Sequence, residues 1–177
     1  KVLVDIGHHY SATNIEQIVA WLLDEEMLGG LHLNDRRYAD DDLTLGSIDP
    51  YQIFRIFHEI HFYAADRGKM PVIPYMVDQC HNEKPKVEAM LQTVAIAQEL
   101  YAKAAIVDHD ALRKAQAKNN TIDAEDLAEK SDPICLLAIK LTRNTVNFLG
   151  SICRHGLPRR NLLWDLLRDF HIRFLPS

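Results

Sequence analysis

Val4-Asp5-Ile6-Gly7-His8-His9, Leu31-His32-Leu33-Asn34-Asp35 running on to Asp40-Asp41-Asp42, and Pro71-Val72-Ile73-Pro74-Tyr75-Met76-Val77-Asp78 repeat one plan. Each is an apolar, strand-like run that ends in hard metal-ligand side chains. The first ends in a carboxylate with a histidine three residues on, and the second in a histidine with carboxylates eight and ten residues on. The third ends in Asp78, and a helix-like segment follows each run. A βα barrel builds its active site this way, because its chemistry sits at the carboxyl ends of parallel strands and on the loops after them. A single Asp at a strand end is ordinarily a turn former or helix cap. Ligand types at all three ends favour a metal site instead.

At 177 residues, 47% hydrophobic and 25% charged, the chain can bury a sizeable core. Its formal net charge of −5 is the wrong sign for a nucleic-acid partner. Cys80, Cys135 and Cys153 are odd in number and form no CxxC pair, so they read as reduced thiols of a cytoplasmic protein. No apolar run reaches the length of a membrane span, and no signal peptide opens the chain. The sequence begins inside a strand at Lys1-Val2-Leu3-Val4-Asp5. Parallel strands need neighbours and helical cover, and a whole barrel has eight strands in typically about 250 residues. The expectation is therefore the C-terminal part of a longer protein, with its N-terminal barrel strands missing here.

Along the chain, Thr13-Asn14-Ile15-Glu16 reads as a capping box with Thr13 as N-cap. Ile15, Ile18, Val19, Leu22 and Leu23 follow at helical spacing. Gly29-Gly30 is expected to end that helix and lead into a strand over 31–34. Residues 36–47 are acid-rich. In extended backbone Asp40 and Asp42 would point to one side and Asp41 away, and a nearby cation would turn their repulsion into binding. A solvated loop and a metal loop both remain open at this point. Asp49-Pro50 supplies an N-cap and a first helical residue, with Ile53, Phe54, Phe57, Ile60 and His61 as the buried face and Gly68 as the stop. His58 and His61 read as surface or packing residues, because no carboxylate cluster accompanies them. After the third strand, Asn82 is the expected cap of a long helix, with Pro85 near its start. Val87, Met90, Leu91, Val94, Ile96, Ala97, Leu100 and Tyr101 form its apolar stripe.

Two regions follow from this: 1–104, the βα units with the candidate ligands, and 105–177, a helical extension suited to oligomer contacts. Helices are expected over 108–118, 123–129, 134–148 and 162–170. Arg154, His155, Arg159 and Arg160 make a small basic patch suited to an acidic neighbour.

Asp5, His8, His32, Asp40, Asp42 and Asp78 are the candidate ligands. The set is oxygen-rich, with two imidazoles and no cysteine, which suits Mn²⁺, Co²⁺ or Mg²⁺ better than a structural zinc or Ca²⁺. Six ligands are too many for one ion that keeps open positions, so two are expected. No nucleophile elbow, phosphate loop or nicotinamide fingerprint competes.

The blocks Val4 to His9, Asn14-Ile15-Glu16-Gln17-Ile18-Val19, Leu28 to Asp35, Tyr38-Ala39-Asp40-Asp41-Asp42-Leu43 and Gly46-Ser47-Ile48-Asp49-Pro50 resemble the L-rhamnose isomerases of the broad-specificity bacterial type. These belong to the xylose-isomerase-like TIM barrels. The resemblance runs over essentially the whole chain. It implies α/β architecture, with the last three βα units of a (β/α)8 barrel followed by a helical extension. It implies that Asp5, His32 and Asp78 hold a structural metal, and that His8, Asp40 and Asp42 hold a catalytic one. It implies Mn²⁺ first, with Co²⁺, Mg²⁺ or Zn²⁺ as substitutes, and a homotetramer. The family's bridging glutamate, a nearby lysine and its other sugar-binding residues come from earlier strands, which this sequence lacks. The implied reaction interconverts L-rhamnose and L-rhamnulose by a metal-assisted 1,2-hydride shift, less readily by an enediol, with a proton shuttled between O1 and O2 near Asp42 or Asp40. The alternatives are a metal-dependent hydrolase on the same barrel, such as an apurinic-site endonuclease, and a non-catalytic helical interaction module. The first needs a basic face, and the second would bind no metal.

Overall fold

Two of the three apolar runs pair with the third, and all three point the same way. In the computed structural model, which describes residues 1–38, 40–80 and 83–129, the order is β1 (Val2–Asp5), α1 (Ile15–Asp24), β2 (Leu28–Leu33), α2 (Pro50–Arg67), β3 (Tyr75–Val77), α3 (Lys86–Ile106), α4 (His109–Ala117) and α5 (Thr121–Glu129). The sheet is parallel in the order β1-β2-β3. The helices expected beyond residue 129, the basic patch, Asn82, Cys135 and Cys153 lie outside the described residues.

Register decides what each face carries. Leu3 pairs with Gly30, Asp5 with His32, and His32 with Met76. Since successive side chains alternate, these residues share one face, while Val4, Leu31, Leu33 and Tyr75 share the other. The second face is buried in one core with Ile15 and Val19 of α1, Ile53 and Phe57 of α2, and Leu100 of α3. Helix α2 packs on both α1 and α3, and Tyr101 meets Phe57 and His61 edge-on. Among the described residues no helix covers the first face, and Leu3 and Met76 are exposed there.

Several local readings shift. The N-cap of α1 is Asn14, not Thr13; its side chain accepts from the Gln17 N–H at 2.9 Å. Glu16 does not reach back to complete a box, because it is buried and pairs with Arg55 at 3.1 Å. The helix stops at Asp24, with Glu26 in left-handed backbone (φ 55°). Gly29 and Gly30 therefore lie inside β2 rather than at a helix end. They are there for close approach: a Cβ on Gly30 would sit 3.1 Å from Leu3 Cδ1 and 3.3 Å from the Pro74 carbonyl oxygen. Strand β3 has three residues only, since Pro71 and Pro74 lack the N–H a ladder needs. Helix α2 keeps its expected punctuation, with Asp49 accepting from Gln52 N–H at 2.9 Å and Gly68 left-handed. Helix α3 begins after Pro85 with no side-chain cap, and its first expected apolar residue, Val87, is exposed; Ala89, Thr93, Ala97, Leu100 and Ala104 form the buried line.

Helices α4 and α5 pack on the same core through Leu112, Ala124 and Leu127. No helix among the described residues is long and apolar enough to cross a membrane.

Candidate metal centre

The ends of the three strands bring Asp5, His32 and Asp78 together, with one ligand atom of each lying within 4.8 Å of the others. The pairing of Asp5 with His32 puts both on the face that carries Leu3 and Met76, and Asp78 follows β3 on the same side. His32 Nδ1 lies 2.7 Å from Asp5 Oδ2 and 2.9 Å from Asp78 Oδ2. An imidazole nitrogen offers one hydrogen at most, so two carboxylate oxygens compete for it. His32 Nε2 is buried with no partner among the described residues.

His8, Asp40 and Asp42 form a second group, one ligand atom of each again lying within 4.8 Å of the others. His8 Nε2 is 3.1 Å from Asp40 Oδ1 and 3.7 Å from Asp5 Oδ2, so the two groups adjoin. The loop that carries the aspartates is not extended: Asp42 is left-handed (φ 46°), and Asp41 turns inward to accept the Arg37 and Tyr38 N–H groups at 2.7 Å each. Asp41 thus closes the turn that presents its two neighbours. The Cys80 N–H donates to the Asp42 carbonyl at 3.1 Å, tying this loop to the end of β3.

Three further side chains build the site, and spacing along the chain points to none of them. Asn34 is fully buried; it accepts the Gly7 N–H at 2.7 Å and donates to Asp5 Oδ1 at 3.0 Å and Asp42 Oδ1 at 3.2 Å. Asp35 is buried and accepts from the backbone N–H groups of Arg36, Ile48 and Asp49, folding the acidic loop back towards α2. Arg36 donates to the carbonyls of Ile6 at 2.9 Å and Tyr10 at 3.0 Å, clamping the loop that bears His8. Their only sequence signal is polarity directly after a strand.

Electrostatics separates the two carboxylates that Asn34 touches. Burial alone would push the Asp5 carboxyl up, but hydrogen bonds from Asn34 and His32, the His8 charge and the Gly7 N–H outweigh it, and Asp5 sits below its usual range. Burial pushes Asp42 up, reinforced by the charges of Asp40 and Asp78 and partly offset by Asn34. The donors are therefore crowded, net anionic and hard, at separations one divalent ion in each group can span.

No family model matches this chain. A protein of Rhizobium meliloti named as a probable sugar isomerase is 42% identical over 125 residues, which cover 70% of this chain and 29% of that protein. Another probable sugar isomerase, from Mesorhizobium japonicum, is 40% identical over 122 residues, covering 69% of this chain and 28% of its own length. The chain thus resembles a stretch of two proteins named as probable sugar isomerases and spans less than a third of either.

Proposed function

We propose that this chain carries the metal-binding rim of an aldose–ketose isomerase that interconverts L-rhamnose and L-rhamnulose, and related sugars, on a (β/α)8 barrel whose last three strands are β1 to β3. The observation that carries this reading is the meeting of six hard donors, in two adjoining sets of three, at the carboxyl ends of three parallel strands. The similarity to probable sugar isomerases supports it. So does the sheet face on which Leu3 and Met76 are exposed among the described residues, which would look inward in a closed barrel.

Asp5, His32 and Asp78 would hold one divalent ion, and His8, Asp40 and Asp42 a second, with Mn²⁺ best matched and Co²⁺, Mg²⁺ or Zn²⁺ accepted by the same donors. Bound ions would supply Lewis acidity towards neighbouring oxygens of an open-chain sugar. The Asp40 side chain is 59% exposed, and His8 faces one of its oxygens at 3.1 Å. Its second oxygen would accept the O2 hydroxyl proton and deliver it to O1, while hydrogen moves from C2 to C1 as a hydride within the sugar. Proton and hydride then balance the exchange of aldehyde for ketone. The remaining walls of the pocket would come from other strands of a longer protein.

The test is conversion of L-rhamnose to L-rhamnulose by the intact protein, first stripped with EDTA and then supplied with Mn²⁺. Activity that disappears on stripping and returns with the ion is expected. Tightly bound Mn²⁺ without isomerisation of any aldose would overturn the reading.

A further inference from the structure

We infer that Asn34 is the positioning residue that couples the two ligand groups, fixing which oxygen of Asp5 and which oxygen of Asp42 is left free to meet an ion. The inference rests on the two-metal reading above and adds a residue outside the six ligands. Asn34 is fully buried at the end of β2, two residues beyond His32, and its amide cannot turn over without loss. Its Oδ1 is held by the Gly7 N–H at 2.7 Å, which aims Nδ2 at Asp5 Oδ1, 3.0 Å away, and Asp42 Oδ1, 3.2 Å away. The Gly7 N–H also donates to Asp5 Oδ1 at 3.0 Å. Asp5 Oδ1 is thereby saturated, and Asp5 Oδ2 alone faces His32 and His8. One amide touches a carboxylate of each group, so the spacing of the groups depends on where it sits.

Gly7 supplies a second, independent sign that this seat is exact in shape. A Cβ on Gly7 would lie 2.8 Å from Asn34 Nδ2 and 3.1 Å from Asn34 Cγ. Those atoms are not the free end of an exposed chain, so an alanine there must push the amide off its partners. An aspartate at 34 would fit the space but present an oxygen to two carboxylates. A donor is needed, and asparagine is the residue of that size that has one.

The experiment is Mn²⁺ titration of the intact protein, followed by calorimetry and electron paramagnetic resonance, comparing wild type with Asn34→Ala and Gly7→Ala. Both variants are expected to weaken Mn²⁺ binding by roughly 10- to 100-fold, the range for partners that orient ligands. The resonance spectrum of the loaded protein, which reads the environment and spacing of the ions, should change in both. Melting in EDTA separates this from loss of fold: Gly7→Ala keeps every polar group and serves if Asn34→Ala does not fold. A merely structural Asn34 would lower the metal-free melting temperature and leave affinity and spectrum as in wild type; that result overturns the inference and spares the two-metal reading. A wild type that binds no Mn²⁺ overturns both.

Discussion

At the scale of single residues, Asp42 shows how backbone and charge can be tested apart. Its left-handed φ of 46° is a conformation that asparagine adopts as readily as aspartate, and the Asn34 amide donates to its Oδ1. Asp42→Asn therefore keeps the turn and an acceptor for Asn34 while removing the charge. His8 is exposed and faces the Asp5 and Asp40 carboxylates, so His8→Ala leaves the core untouched. In the isomerase assay each substitution should lower turnover roughly 100-fold or more, the order expected when charge stabilisation worth several kcal/mol is lost. Circular dichroism and melting temperature should stay close to wild type. Unchanged turnover in both variants would remove the second ligand group from the mechanism. The ligand types themselves are legible in the sequence because a strand ending in Asp or His is a local pattern. Asn34 and Arg36 are not, because partners that define them lie 27 to 30 residues away: Gly7 and Asp5 for Asn34, and Ile6 for Arg36.

At the scale of elements, local chemistry settled the helices better than the strands. Asp49, Pro50 and Gly68 mark α2 from its own sequence, and Asp49 and Gly68 do in the structure what those residue types do elsewhere. At α1 two good caps stand side by side, and the structure uses the second. Asn14→Ala should then cost about 1 kcal/mol in chemical denaturation, whereas Thr13→Ala should cost little, since its backbone N–H donates to Tyr10 and no side-chain cap bond is made by it. Equal costs would restore the capping box. The glycine pair of β2 was misleading for a different reason. Gly-Gly after a helix reads as a stop, and only the neighbouring strands show that a side chain at 30 would meet Leu3 and Pro74. Gly30→Ala should destabilise the protein by roughly 1–3 kcal/mol, the usual cost of overpacking. It should also disturb Mn²⁺ binding, because residue 30 sets the approach of β1 to β2 beneath the Asp5–His32 pair. A neutral Gly30→Ala would mean that the strands yield at no cost.

At the scale of the whole molecule, a histidine cluster between the helices ties their packing to pH. His61 on α2 is buried against Tyr101 of α3, with ring centroids 4.4 Å apart, and His58 of α2 meets His109 of α4 at 5.0 Å. Burial, with the nearby His109 and His58, pushes His61 down to about 4 from an ordinary 6.5; its contact with the Tyr101 backbone opposes this only in part. His109 is likewise lowered, by burial and then His58. A group held neutral in the fold but free to charge when unfolded makes the unfolded state the better proton acceptor between those two values. The stabilising contribution is thus complete above about pH 6.5, shrinks as pH falls, and is fully lost near the folded value of about 4. Over that window His61 alone should add roughly one proton to the uptake on unfolding. Melting in EDTA, which removes any contribution from metal occupancy, should show a lower transition at pH 5 than at pH 7.5. His61→Phe keeps an aromatic ring against Tyr101 and cannot charge, so the difference between the two temperatures should narrow without vanishing, His109 being left to titrate. The same difference in both proteins would mean that His61 does not link the helical layer to pH, and that the acid sensitivity of this fold arises at His109 or at its carboxylates instead.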